Sequence, residues 1–141
     1  MANIIPFAFR GELFSGTHNF ANGGDSFKIA LYTGNPYSTS STQYLTSQEV
    51  SASNTGYTTA GKVLASQAVA SSTAVASVDF ADSVINSATF TAAFAAIYND
   101  TNGDKLCVVL DFGGNKTATN GTFTISFPDP STPANAIISM A

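Results

Sequence analysis

His18 is the only histidine of the chain and Cys107 the only cysteine. A thiol nucleophile needs a base within hydrogen-bond reach and an accessible, polar setting. Cys107 lies instead in the apolar run Leu106-Cys107-Val108-Val109-Leu110, which predicts a buried, inert thiol. His18, between Thr17 and Asn19 in a loop-like stretch, reads as an ordinary surface group. Asp79, Asp82 and Asp111 are the acids that could form an acid–nucleophile pair. Asp79 and Asp82 flank a strand end and Asp111 points outward from a strand, so rim positions are the expectation. Asp100-x-Asn102-x-Asp104 has the alternate-oxygen spacing of a calcium loop. Its glycine, Gly103, precedes Asp104 instead of following it, and the closing glutamate is replaced by Asp111. A hairpin turn accounts for the same residues. No Gly-x-Ser-x-Gly, P-loop, His-Glu-x-x-His or Cys-x-x-Cys pattern is present. The expectation is a protein that is not an enzyme, with no catalytic residues, no cofactor and no metal.

The composition points the same way. Only 10% of the 141 residues are charged, where about a quarter is usual. Ala, Ser, Thr, Asn and Gly fill the gap, and 44% of residues are hydrophobic. A surface this poor in charge is either an uncharged polar coat or a surface that partners cover. The basic residues Arg10, Lys28, Lys62, Lys105 and Lys116 are scattered and the net charge is -4, which argues against nucleic acid as a partner. No run free of polar residues reaches membrane-spanning length, so no membrane partner is expected. Residues 1–9 are apolar but carry no Lys or Arg of a leader's first region.

The elements that must carry these residues are short and mostly extended. Residues 1–20 read as an N-terminal arm or short helix, with Pro6 in a first turn and Gly16 closing it. Phe7, Phe9, Leu13 and Phe14 fix no clean period, so an arm docking on a neighbour is the functional alternative. Residues 21–141 read as a single β domain. Phe27–Tyr32 is a strand with Phe27, Ile29 and Leu31 on one face. Residues 33–55 form a long loop, with a short helix placed near Thr42–Ser47 and few large apolar groups, Tyr44, Leu45 and Val50 among them. Loops of this length commonly serve as contact elements.

Gly61–Ala70 and Ala74–Phe80 read as a hairpin about Ser71-Ser72-Thr73. Val84–Phe90 and Ala92–Tyr98 read as two further strands, the second apolar on both parities and open to a helical reading. Asn102-Gly103 marks a tight turn before Leu106–Phe112. Gly113-Gly114-Asn115 reads as another turn, before Gly121–Phe127. Pro128, Pro130 and Pro133 form a rigid connector to a terminal strand at Ala136–Met140. Seven or eight short strands at this spacing predict an all-β fold, a β-sandwich or jelly-roll-like domain.

Several segments carry a resemblance. They are Phe27-Lys28-Ile29-Ala30-Leu31-Tyr32-Thr33, Gly56-Tyr57-Thr58-Thr59-Ala60-Gly61-Lys62-Val63-Leu64 and Val78-Asp79-Phe80-Ala81-Asp82. Ala96-Ile97-Tyr98-Asn99, Val109-Leu110-Asp111-Phe112-Gly113 and Gly121-Thr122-Phe123-Thr124-Ile125 follow in order. Together, from about residue 10 to the end, they resemble a family of small structural virion proteins of tailed bacteriophages. The resemblance implies a capsid cement or decoration protein, bound to the major capsid protein lattice on the outer surface of the virion and self-associating there. It implies fold and turn roles for Tyr57, Gly61, Asp79, Tyr98 and Asp111, and no catalytic residue. Pro6 and Phe7-Ala8-Phe9 depart from the more charged helical lead-in of that family.

The partner-contact candidates are Phe7, Phe9 and Phe14 of the arm and Tyr37, Tyr44 and Leu45 of the long loop. Two other readings stand beside cement. One is a tail, neck or fibre-associated component of the same particle. The other is a carbohydrate-binding β-sandwich module using Tyr32, Tyr37, Tyr44 and Tyr57 as its aromatic face.

Overall fold

The computed structural model describes residues 3–72, 74–128 and 136–140. Helix α1 (Phe7–Phe14) leads into strands β1 (Phe27–Tyr32), β2 (Lys62–Val63), β3 (Ala68–Ser71) and β4 (Ala76–Asp79). The long strands β5 (Ser83–Asn99) and β6 (Lys105–Ile125) follow, and β7 (Ile138–Met140) ends the described chain. One antiparallel sheet has the order β2-β1-β5-β6 and the other β3-β4-β7. A continuous apolar core joins them through residues such as Phe27, Ile29 and Ile97 of the first and Val78 and Ile138 of the second. Thr73 of the expected hairpin turn and Pro130 and Pro133 of the expected connector lie outside the described residues.

Where β1 lies beside residues 95–99 of β5 and 106–110 of β6, the first sheet is buried on both faces. Phe27, Ile29, Leu31, Ala95, Ile97 and Val108 face the main core. Ala30, Tyr32, Ala96, Tyr98, Leu106 and Val109 face a second cluster, roofed by Ile4, Tyr37 and Tyr44. An antiparallel strand with one wet face alternates apolar and polar residues; one with two dry faces does not. That is why Ala92–Tyr98 is apolar on both parities without being a helix. Residues 33–55 provide much of the roof, through isolated bridges from Gln43 to Lys105 and Glu49 to Tyr32. No helix forms at Thr42–Ser47, because that segment spends its hydrogen bonds on the sheet, with Tyr44 N–H to Asp104 O and Leu106 N–H to Thr42 O.

Three strand expectations need correction. Gly61–Ala70 is two strands in different sheets: Lys62–Val63 pairs with β1, Ser66 takes a positive φ of 54°, and Ala68–Ser71 departs to pair with β4. Val84–Phe90 and Ala92–Tyr98 are one strand. An extra residue at Asn86–Ser87, with Ser87 at φ 53°, is absorbed as a bulge against β6. Leu106–Phe112 and Gly121–Phe127 are likewise one strand, ending at Ile125. Gly113 and Gly114, at φ 76° and 148°, bulge the chain between the pairs Phe94–Asp111 and Ala92–Lys116 without reversing it. The turn at 98–104 forms, but its left-handed residues are Gly103 and Asp104 and not the Asn102-Gly103 pair expected to supply them.

The expected N-terminal helix forms. Pro6 stands one position before it as the N-cap, and Gly16 follows it at φ 73°. Its inner side packs Phe9 into the core, with Leu13 against it. Residues 7, 10, 11 and 14 form the exposed stripe.

Candidate functional site

Two buried polar arrays and one exposed apolar face are the features that could carry function. The first array ties α1 to the β5–β6 turn. His18 is buried, its side chain sealed from solvent, and not the surface group expected. Phe9, Phe20 and Phe27 surround its ring. His18 Nε2 lies 2.7 Å from Glu12 Oε2, and Lys105 Nζ reaches Glu12 Oε1 at 3.3 Å.

Asn99 organises the other side. Its Oδ1 accepts the Thr101 and Asn102 N–H groups, each at 3.1 Å, which fixes the orientation of the amide. Its Nδ2 therefore donates, to Asp25 Oδ2 at 2.9 Å and to His18 Nδ1 at 3.0 Å. With Nδ1 accepting, the imidazole carries its hydrogen on Nε2, toward Glu12. Asn102 Nδ2 donates to Asp25 Oδ2 and to Thr17 O. The Asp100–Asp104 segment is thus a turn held by its own side chains, with Asp100 paired to Lys28 at 3.4 Å. Among the described residues, no three His, Cys, Asp or Glu side chains gather as metal ligands.

Cys107 Sγ lies 3.9 Å from His18 Nδ1, so thiol, imidazole and the Glu12 carboxylate stand in series. The series has the connectivity of a nucleophile triad but not its setting. The thiol is fully buried, and burial pushes it well above its ordinary value, with the Glu12 and Asp25 carboxylates adding to the rise. The lone pair on Nδ1 that would take its proton already accepts the Asn99 amide. Asp82 Oδ1 accepts the Phe127 N–H at 2.9 Å, and Asp111 Oδ1 accepts the Gly113 N–H at 2.8 Å; both carboxylates organise backbone.

The second array was not foreseen. All five tyrosines of the chain meet around Glu49. Tyr57 Oη donates to Glu49 Oε1 at 2.6 Å and Tyr44 Oη to Oε2 at 2.5 Å, while the Ala60 N–H reaches Oε1 at 2.8 Å. Tyr32 Oη donates to Leu45 O at 2.7 Å and lies 2.6 Å from Tyr37 Oη, which accepts the Leu45 N–H. Tyr98 Oη donates to Ala60 O and its ring stacks on Tyr44. Burial raises the phenol pKa of all five, and the Glu49 carboxylate adds to each rise, behind the Asp104 and Asp100 carboxylates at Tyr98.

Tyr32, Tyr37 and Tyr57 are buried and only Tyr44 is partly open, so these rings do not form a platform for a sugar. The Gly56–Gly61 segment is the clasp of this array. A Cβ on Gly61 would meet Ile29 O at 2.1 Å, and one on Gly56 would meet Ser87 O at 2.5 Å. The available signal was Glu49 itself, the one acid between Asp25 and Asp79, in a stretch that also holds Tyr37, Tyr44 and Tyr57.

The six partner-contact candidates divide. Phe9 and Tyr37 are internal, at 1% and 6% exposure, and Tyr44 is half-buried over Tyr98. Phe7, Phe14 and Leu45 reach solvent, Phe14 at 92%. Phe7 and Phe14 lie one above the other on the outer side of α1, with Gly11 between them and the Arg10 guanidinium 4.9 Å over the Phe7 ring. No protein-family model, curated protein or solved structure matches this chain.

Proposed function

We propose that this chain is a structural, non-enzymatic virion protein of a tailed phage, a cement or decoration protein that binds the major capsid protein lattice from outside. The observation that carries the reading is the outer face of α1. Phe7 and Phe14 stand in solvent on a helix whose other side is fastened to a sealed β block by Phe9 and by the Glu12–His18 and Glu12–Lys105 contacts. Two aromatic rings held out by a rigid helix lose little entropy on docking. The low charge of the chain lowers the desolvation cost of covering its surface. The ordered segments resembling the phage family support the same assignment. On this reading the two packed sheets make a β-sandwich or jelly-roll-like block, and copies on a symmetric lattice add many modest contacts into a large stabilisation.

The test is binding to assembled heads that lack the protein. The chain is expected to co-sediment with such heads and raise their resistance to heat, and Phe7→Asp is expected to weaken binding. A chain that sediments only with tails moves the assignment to the tail, neck or fibre; one that binds neither removes the virion reading.

A further inference from the structure

Three Asn-Gly pairs occur in the chain, at Asn22-Gly23, Asn102-Gly103 and Asn120-Gly121. The pair has a chemistry of its own. The main-chain nitrogen of the glycine can attack Cγ of the asparagine, because no Cβ on the glycine crowds the approach. Attack needs the asparagine to swing the two atoms into contact, so a bond that holds its side chain or its main chain slows the reaction. The fold puts the three pairs under three different restraints.

Asn102 is held by its side chain. Its Nδ2 donates to Thr17 O at 2.7 Å and to Asp25 Oδ2 at 3.0 Å, and its N–H donates to Asn99 Oδ1. Asn120 is held by its main chain. It lies within β6, its N–H donates to Thr89 Oγ1 at 3.0 Å, and Gly121 pairs with Ala88 of β5. Asn22 is the exposed tip of a turn closed by the Gly24 N–H to Ala21 O at 2.8 Å. Among the described residues nothing bonds the Asn22 amide or the Gly23 N–H, and a Cβ on Gly23 would meet no atom within 4 Å.

We infer that Asn22 is a site of spontaneous covalent modification, converted to aspartate and isoaspartate through a succinimide, and that the fold shields Asn102 and Asn120 from the same reaction. The Gly23 nitrogen gives up its proton and bonds to Asn22 Cγ. The Cγ–Nδ2 bond breaks, and the amide nitrogen leaves as ammonia with that proton. Water then opens the ring. Addition at Cγ breaks its bond to the Gly23 nitrogen and leaves aspartate; addition at the main-chain carbonyl breaks the peptide bond and leaves isoaspartate, linked through the side chain. The net change is a water consumed and an ammonia released.

The product adds a carboxylate to a chain whose net charge is already -4. As isoaspartate it also adds a main-chain carbon to a turn whose flanks, Ala21 O and Asp25 O, both accept Gln67 Nε2. The loop that sets Asp25 against Asn99 therefore ages in charge and in length. None of this depends on the head assignment.

Trypsin separates the three pairs, since cleavage after Arg10, Lys28, Lys62, Lys105 and Lys116 puts Asn22, Asn102 and Asn120 in different peptides. The full chain is held folded in mildly alkaline buffer, which favours loss of the amide proton. Its peptides are followed by mass spectrometry and by labelling with isoaspartyl methyltransferase. Asn22 should convert first, and Asn102 at least about tenfold more slowly, the cost of opening two hydrogen bonds before attack. In urea the three should convert at similar rates. Asn22→Ser should leave its peptide unmodified and melt like the parent, because the tip it changes is exposed and unbonded. Conversion of Asn102 or Asn120 ahead of Asn22 in the folded chain overturns the inference. So does the same order kept in urea, or an Asn22 that stays intact in the folded chain while the unfolded chain converts.

Discussion

The Tyr57 hydroxyl donates to Glu49 Oε1 at 2.6 Å and accepts the Leu31 N–H at 3.1 Å, so one phenol joins the roof of the first sheet to its central strand. On that edge β2 pairs only with Lys28 and Ile29 and the Glu49 bridge starts at Tyr32, so the Leu31 N–H falls in the gap between the two. Tyr57 takes the place of a missing strand neighbour, and Glu49 holds Tyr57.

Glu49→Ala therefore removes the acceptor of two phenols and one backbone N–H. A loss of about 3 kcal/mol of unfolding free energy is expected, by the usual cost of leaving buried donors unpaired. Urea unfolding measures it, and cleavage of residues 33–55 by a nonspecific protease should accelerate. A change below about 0.5 kcal/mol, the level of an ordinary surface substitution, would show that the cluster is incidental.

The tyrosines give a pH prediction. Their pKa values are raised in the folded state, so the stability this contributes is fully present below the unfolded value, about 10, and is lost as pH climbs above it. Absorbance at the phenolate band should stay flat through that pH in the folded protein. It should then rise in one step together with loss of the far-ultraviolet dichroism. Ionisation of several tyrosines with the fold intact would contradict the arrangement.

Cys107 is expected to resist alkylation in the native protein and to react only at the rate of unfolding, because its thiol is buried and held protonated. Mass spectrometry after iodoacetamide treatment, with and without denaturant, reads this directly. Rapid native labelling would mean that the path to the thiol is open.

Asn99→Asp keeps the acceptor for the Thr101 and Asn102 N–H groups but turns the donor toward Asp25 and His18 into an acceptor. Two carboxylates then face each other, the new one fully buried and Asp25 half-buried. Destabilisation by about 3 kcal/mol is expected at neutral pH, the cost of a buried charge without its partner. Parent-like stability there would show that water or a shift of Asp25 relieves the site.

Gly61→Ala and Gly103→Ala separate steric from conformational demand. Both positions have positive φ, but an added Cβ meets Ile29 O at Gly61 and open space at Gly103. The first change is expected to abolish folding at ordinary temperatures and the second to cost about 1 kcal/mol. Equal melting temperatures for the two variants would refute the close approach.

Local pattern made β1 legible, through the alternation of Phe27, Ile29 and Leu31, and made the 98–104 turn legible through Asn102-Gly103. The same kind of evidence failed at Gly113-Gly114. A glycine pair serves a reversal and a bulge equally well, and the choice depends on whether β5 is long enough to pair on both sides of it. His18 and Glu49 were illegible for a related reason. Each is polar in a polar stretch, and its burial comes from partners far along the chain, Asn99 and Cys107 for one and the strands under the roof for the other. Of the contact residues, Phe7 and Phe14 could be told from Phe9 only once the helix period was set by packing.

The roof over the first sheet also imposes a timetable on synthesis. β5 and β6 need only the turn between them to pair, whereas β1 must find β5 across about half of the chain, and the roof closes only over a finished sheet. Contacts between distant segments form late. Until they do, both faces of the nascent ribbon are bare, and such intermediates aggregate. The chain should be at its most vulnerable while it is being made, with soluble yield rising as translation is slowed or chaperones are supplied. Pulse-labelled hydrogen exchange during refolding should protect β5 and β6 before β1; protection of β1 first would reverse the order.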